Sequence, residues 1–503
     1  MYTKGVKILK RIVCLLLALL MLSTVFVACD DKEPATTSGD AVSTTADATA
    51  ETTDPKETLD IPLTADYEEY EFNILSAGNQ VWNDFDFEEE SSLPLDNAQY
   101  KRKIKVEEDY NVKITQTSKK SYSSGNGPGY QAVNKQVGSG DCDYDLCIIA
   151  GYDVSVLAYT GRLYDLASID AISLEKSWWD ENATNSLTIK GVTFFTTGEM
   201  TVSDNRAAFC LMFNKELLAN YNLESPYDLV TDGEWTIENF GKLVKSVSED
   251  LNQDGMYTQA DRYGLLVWDD SIVGMVNAAG QRCCTINSET GELELTFYNE
   301  STLSALEQYS QIAYDKQYAF QYQRVAESTG RTMWKANQGL FFTTLVDLLP
   351  EFREMEADFG VLPYPKLSET QDNYYSTIAP FNSNFVCIPL IQDDVERTGV
   401  IAEALSYYGQ QIVTPALYDV TLVGQSTRDE ESEPMLQIIF DNLVYDIGYY
   451  YQVGPYNKQL IYKLRAYDNN FTSMYDTYKT SANSLLKVIN TYYAKAVQDW
   501  TND

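Results

Sequence analysis

Apolar runs mark a series of strands in the first third of the chain. YEFNILSAG (70–78) and VKITQT (112–117) have strand-like patterns, and YDLCIIAG (144–151) is apolar almost throughout. A nearly continuous apolar run is typical of a strand covered on both faces. The mixed basic and acidic stretch KRKIKVEEDYN (101–111) predicts a helix between two of these strands. Strands that alternate with helices predict an α/β fold with mostly parallel sheets.

A helix and a strand are also predicted on either side of a polar loop near the middle of the chain. Thr236 can cap a helix whose apolar residues fall on one face. These apolar residues are Ile237, Phe240, Leu243, Val244 and Val247. After the loop, YGLLVWDD (263–270) predicts a short buried strand with its core at 264–267. The unit is helix, loop and strand, which resembles half of an EF-hand.

The loop itself, DLNQDGMYTQAD (250–261), predicts a calcium site. EF-hand loops place side-chain oxygens at positions 1, 3, 5, 9 and 12, a backbone carbonyl at 7 and Gly at 6. The residues in the ligand positions are Asp250, Asn252, Asp254, Met256, Thr258 and Asp261, with Gly255 at the sharp turn. The last position has Asp where sensor loops have the longer Glu. The alternative is a solvated acidic loop without a metal.

Two further features are predicted to be structural. SGNGPG (124–129) is rich in turn residues and lacks the Lys and the helix that a phosphate-binding loop needs. Trp178 and Trp179 stand at a predicted helix start, and a tryptophan pair there more often packs in the core. Trp235 is assigned to the core as well.

The N-terminus predicts export. Lys4, Lys7, Lys10 and Arg11 precede an apolar run over residues 12–27, which is shorter than the roughly 20 residues that span a bilayer. FVAC (26–29) follows and resembles a bacterial lipobox, with Phe26 where Leu is usual. Residues 1–28 are therefore predicted to be a lipoprotein signal peptide, and Cys29 the lipid-modified residue. The alternative is an ordinary signal peptide with an incidental cysteine.

The next segment predicts a tether. Residues 29–60 are rich in Thr, Ala, Asp and Ser and have almost no large apolar residue, so they cannot bury a core. We expect a disordered linker that holds a folded body on the extracytoplasmic face of a bacterial membrane.

Charge and composition exclude several classes of function. The net charge is −37, and residues 1–28 carry four positive charges and no negative one, so the chain from Cys29 onward carries −41. Such a chain is repelled by nucleic acid and anionic lipid, which leaves the lipid anchor as the only membrane contact and predicts a soluble monomer. The sequence has no histidine, which excludes Ser-His-Asp and Cys-His catalysis and His-ligated zinc. Carboxylate-pair chemistry stays open.

Six cysteines follow Cys29, and their spacing matches no zinc pattern. They are Cys142, Cys147, Cys210, Cys283, Cys284 and Cys387. Several lie in apolar runs, where a buried free thiol is the plain expectation. One disulfide is possible in an extracytoplasmic compartment.

The order of several blocks resembles the extracellular solute-binding proteins, family 1, of ABC importers, which include maltose-binding proteins. The blocks are DYDLCIIAGYDVSVLAYTGRLYDLASID (143–170), SWWDENATNSLTIKGVTFFTTGEM (177–200), LMFNKELL (211–218), MEADFGVLPYPKLSETQDNY (355–374) and TRDEESEPM (427–435). Together they cover most of residues 65–490. The helix–loop–strand calcium unit is similar to one in the longer, oligosaccharide-binding members, including alginate-binding proteins.

The resemblance implies a two-lobed periplasmic-binding-protein-like fold, with a ligand cleft between lobes joined by hinge strands. The family's order of crossings puts lobe 1 at 61–206 plus 376–425. Lobe 2 is then 207–375 plus 426–503 and contains the loop 250–261. In that position a calcium ion is expected to hold one lobe rigid, and regulation by calcium is the weaker alternative.

The resemblance also places candidate ligand residues at cleft loops. Sugars offer apolar faces to aromatic rings and hydroxyl groups to Asp, Asn, Gln and Arg side chains. The candidates are Trp82, Tyr152, Asp153, Asp204, Asn205, Arg206, Trp268, Asp269 and Asp270. Trp268 matches the position at which maltose-type members use an aromatic residue.

The function that follows is a substrate-binding lipoprotein of an ABC importer. It would capture an extracellular carbohydrate, an oligosaccharide by the resemblance, and deliver it to permease subunits on other chains. The alternatives are a cell-surface enzyme or adhesin that acts on glycans, and a binding protein for a non-sugar solute such as a peptide. The absence of histidine and of a nucleophile motif favours a protein that is not an enzyme.

Overall fold

The computed structural model describes residues 57–122, 124–418, 420 and 431–500. Residues 57–503 form one compact unit. The predicted signal peptide, Cys29 and most of the predicted linker lie outside the described residues. In the described part of the chain, no helix is both long and apolar enough to cross a membrane.

The strands are distributed along almost the whole of this unit. In chain order they are β1 Tyr70–Gly78, β2 Val112–Lys120, β3 Leu146–Ala150, β4 Phe209–Asn214, β5 Ser248–Glu249, β6 Arg262–Val267, β7 Cys284–Ile286, β8 Leu293–Leu295, β9 Ala319–Gln321, β10 Gly339–Leu345, β11 Phe359–Leu362, β12 Ser376–Thr377, β13 Asn384–Cys387 and β14 Leu443–Val444.

The α-helices fill the intervals between the strands and the C-terminal region. They are α1 Pro94–Tyr110, α2 Pro128–Ser139, α3 Gly151–Tyr159, α4 Glu181–Leu187, α5 Ser203–Ala207, α6 Lys215–Asn220, α7 Pro226–Thr231, α8 Ile237–Val244, α9 Ser271–Ala278, α10 Glu300–Ala313, α11 Glu327–Lys335, α12 Val395–Tyr408, α13 Thr414–Tyr418, α14 Ser432–Asp441, α15 Ile447–Tyr450, α16 Tyr456–Ala466 and α17 Phe471–Trp500. Shorter 3₁₀ turns lie at Leu166–Ser168, Tyr322–Arg324 and Val346–Phe352, and a π-helical turn at Gly409–Val413.

The first sheet has the strand order β13-β3-β1-β2. Strands β1, β2 and β3 are parallel, and β13 runs antiparallel to β3 with Asn384 opposite Ala150. Helices α1 and α12 pack against each other beside this sheet. Their buried residues Val106 and Leu405 belong to the same apolar cluster as Ile74 in β1. The predicted α/β class is confirmed here.

The second sheet has the order β11-β4-β10-β6-β5, with β9 added beside β6. Its central strands β6, β9 and β10 are parallel, whereas β4 and β11 are antiparallel to each other and β4 is antiparallel to β10. All seven residues of β10 are buried, as expected for a strand covered on both faces.

Three segments lie side by side where the chain passes between the sheets. The Ala207 carbonyl accepts a hydrogen bond from Ala379 N (3.2 Å), and the Ala208 carbonyl accepts one from Val346 N (3.0 Å). Strand β12 pairs in parallel with β14 next to them. The segments are arranged as hinge strands would be, while the lobe boundaries given above stay a prediction.

The elements predicted for the first sheet are present, but some of them begin or end at other residues than predicted. The strand at 70–78 is confirmed, and the predicted helix begins earlier, at Pro94, because proline is well suited to the first turn. It ends at Tyr110, and the next residue, Asn111, has a left-handed φ of 49°. The prediction for SGNGPG was wrong in one respect, because helix α2 begins inside it at Pro128.

The three core tryptophans are confirmed, and two of them share one buried acid. The Nε1 atoms of Trp178 and Trp179 donate to opposite oxygens of Glu403, at 2.9 and 2.8 Å. Burial raises the pKa of Glu403 to about 7, and the two indole bonds oppose that rise. Trp235 is buried and donates to the Pro363 carbonyl (2.9 Å).

The six cysteines carry free thiols in the structure. Five are buried, and only Cys142 is partly exposed. Burial raises the pKa of the Cys210 thiol, so this thiol is unreactive by position and by protonation.

Candidate functional site

A cavity of about 310 Å³ lies where strands of both sheets end. The parallel strands β1, β6, β9 and β10 all point their carboxyl ends toward it, and β13 begins there. Ligands of open α/β folds bind at this edge of their sheets. The residues that line the cavity are Asn79, Gln80, Trp268, Asp270, Tyr322, Gln323, Glu327, Arg331, Thr344, Leu345, Asp347, Leu348, Phe381 and Asn382.

Trp268 directly follows β6 and is both a cavity wall and a packed side chain. It is 8% exposed, and its ring centroid lies 4.8 Å from that of Phe209 and 6.2 Å from that of Phe381. Its backbone N–H donates to Thr343 Oγ1 in β10 (2.6 Å). The site therefore holds an indole in a fixed position beside the open space.

Asp270 is the second predicted residue that lines the cavity. Tyr449 Oη donates to its Oδ1 over 3.2 Å. Burial raises the pKa of Asp270 to about 7, and the bond from Tyr449 opposes this. Tyr152 does not line the cavity, but its ring meets the Tyr449 ring edge-on at 6.1 Å, so it supports Asp270 through Tyr449.

Asp269 points elsewhere, and its predicted contact with ligand needs correction. Its carboxylate is buried and pairs with Arg465, while its backbone N–H donates to Gln323 Oε1 (3.0 Å). Gln323 does line the cavity. Asp269 is therefore a supporting residue, because alternation along the chain after β6 sends neighbouring side chains in different directions.

Asp153 also needs correction as a ligand residue. Its carboxylate is buried and accepts backbone N–H groups of Gly125 (3.1 Å), Gly127 (2.9 Å) and Tyr130 (3.4 Å). These donors come from the glycine-rich loop and the first turn of α2, which favour an anion. The anion they hold is a side chain of the protein itself, so Asp153 fixes the loop and is not available to a ligand.

Trp82 and Arg206 stand one contact away from the cavity. The Arg206 guanidinium lies 3.9 Å from the Trp82 ring centroid and pairs with Asp347 Oδ1 (3.0 Å), which lines the cavity. A smaller cavity of about 50 Å³ is lined by Arg206 and Leu417, and Asp347 lines both cavities.

Asp204 and Asn205 lie away from the cavity lining. Asp204 is buried, and its carboxylate accepts bonds from Thr197 Oγ1 (3.1 Å) and from the Asn205 N–H (2.8 Å). Burial raises its pKa well above the usual range, and the charges of Asp180 and Glu199 raise it further. The ligand role predicted for these two residues is not supported by this arrangement.

Most of the polar lining was missed by the sequence analysis. Tyr322 and Gln323 directly follow the short strand β9, so the rule that found Trp268 would have found them had that strand been recognised. Phe381 and Asn382 precede β13. They reach the same edge because β13 is antiparallel, a fact that the local pattern does not reveal.

The loop 250–261 folds as a tight turn around Gly255, whose φ is +78°. Gly255 N–H donates to Asp250 Oδ2 (2.8 Å), and Met256 N–H donates to Asp254 Oδ1 (2.8 Å). Asp250 Oδ1 is buried and has no hydrogen-bond partner among the described residues. This turn and the unpartnered oxygen fit a cation.

The far end of the loop is tied more closely to the protein. Asp261 is buried, and its two oxygens accept N–H groups of Leu251 (3.1 Å) and Thr258 (2.7 Å). Within the described ranges, no three Cys, Asp or Glu side chains form a group that could hold a metal ion. A cation here would therefore also use the side-chain oxygens of Asn252 and Thr258 and the Met256 carbonyl, as the loop pattern requires.

The fold is shared with many solved structures. One is an ABC substrate-binding protein from Listeria monocytogenes in complex with cycloalternan, with a TM-score of 0.54 and 14% identity over 84% of this chain and 99% of that chain. Another is the galacto-N-biose/lacto-N-biose I-binding protein of an ABC transporter from Bifidobacterium longum. It has a TM-score of 0.54 and 10% identity, over 86% of this chain and 98% of that chain. The chain has the fold of the two-lobed family 1 solute-binding proteins.

A third solved structure shares this fold, whereas comparisons of the sequence with family models and curated proteins find no match. The maltose-binding periplasmic protein from Listeria monocytogenes in complex with maltose has a TM-score of 0.51 and 15% identity, over 85% of this chain and 98% of that chain. No protein-family model and no curated protein sequence matches the chain. These structural neighbours are solute-binding proteins of transport systems and not enzymes.

Proposed function

We propose that this solute-binding fold captures an extracellular carbohydrate in the 310 Å³ cavity and delivers it to the permease of an ABC importer. The observation that carries the proposal is the position of the cavity, at the strand ends of both sheets, with a fixed indole on its wall. The neighbours named above were solved with sugars, namely cycloalternan, lacto-N-biose and maltose.

The chemistry of the lining supports a sugar. Trp268, Tyr322 and Phe381 offer aromatic surface for the C–H faces of a pyranose ring, and amide side chains offer both donors and acceptors for its hydroxyl groups. The amides are Asn79, Gln80, Gln323 and Asn382. The volume is at the small end of the roughly 300–1,000 Å³ common for ligand pockets, which favours a short oligosaccharide.

A glycan-acting enzyme is the second candidate, and Asp270 is the reason to test it. A buried carboxyl with a pKa of about 7 is what a general acid requires. However, the other acids on the wall, Glu327 and Asp347, are each paired with an arginine. A binding protein returns its sugars intact, whereas a hydrolase shortens them.

The deciding experiment is a thermal-shift screen of the purified protein against neutral, amino and acidic oligosaccharides and short peptides, followed by calorimetry on each ligand that shifts the melting temperature. Asn382→Ala removes a lining amide, and Asn373→Ala removes an exposed one as a matched control. We expect a saccharide to bind the wild type and the control, to bind Asn382→Ala more weakly, and to be recovered uncleaved. A screen in which only peptides shift the melting temperature would exclude the carbohydrate proposal.

We also propose that Cys29 carries the lipid that anchors the protein to the extracytoplasmic face of the bacterial membrane. The support is the lipobox-like FVAC and the Thr-rich segment after it. Cys29→Ala should release the protein from cells or leave it unprocessed. A correctly cleaved Cys29→Ala protein that stays in the membrane fraction would contradict the anchor.

We further propose that the loop 250–261 binds a structural Ca²⁺ ion. Its residues Asp250, Asn252, Asp254, Met256, Thr258 and Asp261 supply only oxygen ligands, which suit a hard cation. The bound ion would neutralise the acidic turn and fix the connection between α8 and β6.

A further inference from the structure

The charges around the cavity are almost all paired within the protein. Glu327 pairs with Arg331 (3.0 Å) and Asp347 with Arg206 (3.0 Å). Asp269, next to the wall, pairs with Arg465. Arg331, Arg206 and Arg465 are therefore already engaged by carboxylates.

Asp270 is different from these acids. It lines the cavity, and its partner among the described residues is the neutral Tyr449 hydroxyl at 3.2 Å, with no Lys or Arg in an ion pair with it. The titratable and charged groups that face it are Asp269, Arg465, Tyr449, Tyr152, Tyr322 and Tyr364.

We propose that the cavity selects a saccharide that carries an amino group, and that the ammonium of this sugar pairs with Asp270. This inference rests on the proposed carbohydrate-binding function and names the class of sugar. The ammonium supplies the cation that Asp270 lacks, and a charge-assisted hydrogen bond in a buried site is stronger than a neutral one. Trp268 lines the same cavity, and an indole face also attracts a cation.

The same charges disfavour an acidic sugar. A uronate or sulfated saccharide would meet the carboxylates of Asp270, Glu327 and Asp347, while the arginines that could receive it are held in ion pairs. Like charges at close range in a partly buried site repel strongly. We therefore expect an acidic saccharide to bind this cavity more weakly than a neutral one.

The protonation of Asp270 gives the inference a second readout. Burial raises the pKa of its carboxyl to about 7, and the nearby Asp269 charge raises it while Arg465 lowers it. A bound ammonium lowers this pKa again, so the amino sugar binds the ionised form and displaces a proton. The affinity for an amino sugar should rise roughly 20-fold between about pH 5 and pH 6.5 as the ionised fraction grows.

The test is titration calorimetry of the purified full chain at about pH 6.5 with three probes of equal length and linkage. They are a β-1,4-linked glucosamine trisaccharide, its N-acetylated counterpart, and the corresponding neutral glucose trisaccharide. We expect the glucosamine probe to bind at least tenfold more tightly than either of the others. Asp270→Asn should reduce this preference to less than threefold, whereas Asp372→Asn, at an exposed acid, should keep it.

Each other outcome is decisive. Equal or tighter binding of the acetylated or the neutral probe would overturn the amino-sugar inference and leave the carbohydrate proposal intact. Binding of no saccharide in the wider screen would overturn both. The comparison of probes on the wild type decides the matter even if Asp270→Asn is poorly folded, and Asp270→Glu, which keeps the charge, should retain the preference.

Discussion

Trp268 packs among core residues and also lines the cavity. Its ring contacts Phe209, the first residue of β4, and Phe381, which precedes β13, so it contacts residues of both sheet regions. The sequence predicted its position from the end of an apolar strand. The side chain is 8% exposed and still lines the cavity, and its role as a stacking platform for a sugar stays a prediction.

Replacing Trp268 should weaken ligand binding more than stability alone explains. Trp268→Leu leaves a smaller apolar side chain and removes the indole ring, and the loss of about 100 Å² of apolar contact with the ligand plus stacking costs about 2–3 kcal/mol. Affinity for the saccharide found in the screen should fall about 30- to 150-fold. Trp235→Phe, in a buried tryptophan away from the cavity, should lower the melting temperature without this loss. A change below threefold in Trp268→Leu, measured by calorimetry on folded protein, would remove the indole from the site.

The cysteines predict a simple pattern of thiol reactivity. Cys142 is partly exposed and the other five described cysteines are buried, with burial raising the pKa of Cys142 as well. A thiol reagent added to the native protein should modify Cys142 slowly and the buried thiols only after denaturation. Mass spectrometry of the labelled peptides checks this, and Cys142→Ser should abolish native labelling. Rapid native labelling at Cys283 or Cys284 would show that this buried region opens.

Asp153 and Asp269 explain why the acids of the site were hard to assign from sequence. Each directly follows or nearly follows an apolar strand, as a ligand residue would. Asp153 instead accepts backbone N–H groups of a loop far away in sequence, and Asp269 pairs with Arg465. Whether an acid has a partner inside the protein depends on contacts between segments that are distant in the sequence. A single sequence does not reveal these contacts.

Among the elements, the loop 250–261 gives the most direct prediction. If Ca²⁺ binds only the folded protein, a hundredfold excess over the dissociation constant stabilises it by about 2.7 kcal/mol. Adding a chelator should lower the melting temperature of the wild type and leave that of Asp254→Ala unchanged. Asp372→Ala, at an exposed acid in another loop, should respond like the wild type. Identical responses of wild type and Asp254→Ala would rule out the metal.

The strands show which elements a local pattern can reveal. Strands β1 and β3 and the start of β2 were predicted because their apolar patterns are long and clear. Strand β9 has three residues and β13 has four, too short for a periodic signal. These short strands carry Tyr322, Gln323, Phe381 and Asn382 to the cavity, so the site was harder to predict than the fold.

At the scale of the whole molecule, many buried acids make stability depend on pH. Burial raises the pKa of Glu403 and of Asp270 to about 7. It also raises the pKa values of three other acids, Asp84, Asp165 and Asp446. A carboxyl whose folded pKa exceeds its unfolded value stabilises the fold below the unfolded pKa. That contribution is lost as the pH rises through the folded pKa. The net charge of −37 adds repulsion as acids ionise.

We therefore expect the protein to be more stable at about pH 5 than at about pH 8. The Glu403 carboxyl alone accounts for about 3 kcal/mol of this change, lost between about pH 4.5 and 7. Urea unfolding across this range measures it, and Glu403→Gln should flatten the profile even though its NH2 group cannot accept one of the two indole N–H bonds. A wild-type stability that is constant or rises with pH would contradict the burial of these acids.

The order of the strands along the chain determines when the first sheet can be completed during folding. Strand β13 pairs with β3, and Cys387 lies opposite Cys147. Along the chain, all strands of the second sheet come between these two paired strands of the first sheet. Contacts between such distant residues form late, because a long loop has to close before they are made. A nascent chain that has emerged only as far as residue 370 still exposes one edge of β3 and lacks β12 and β13. Completion of the first sheet therefore waits for most of the polypeptide.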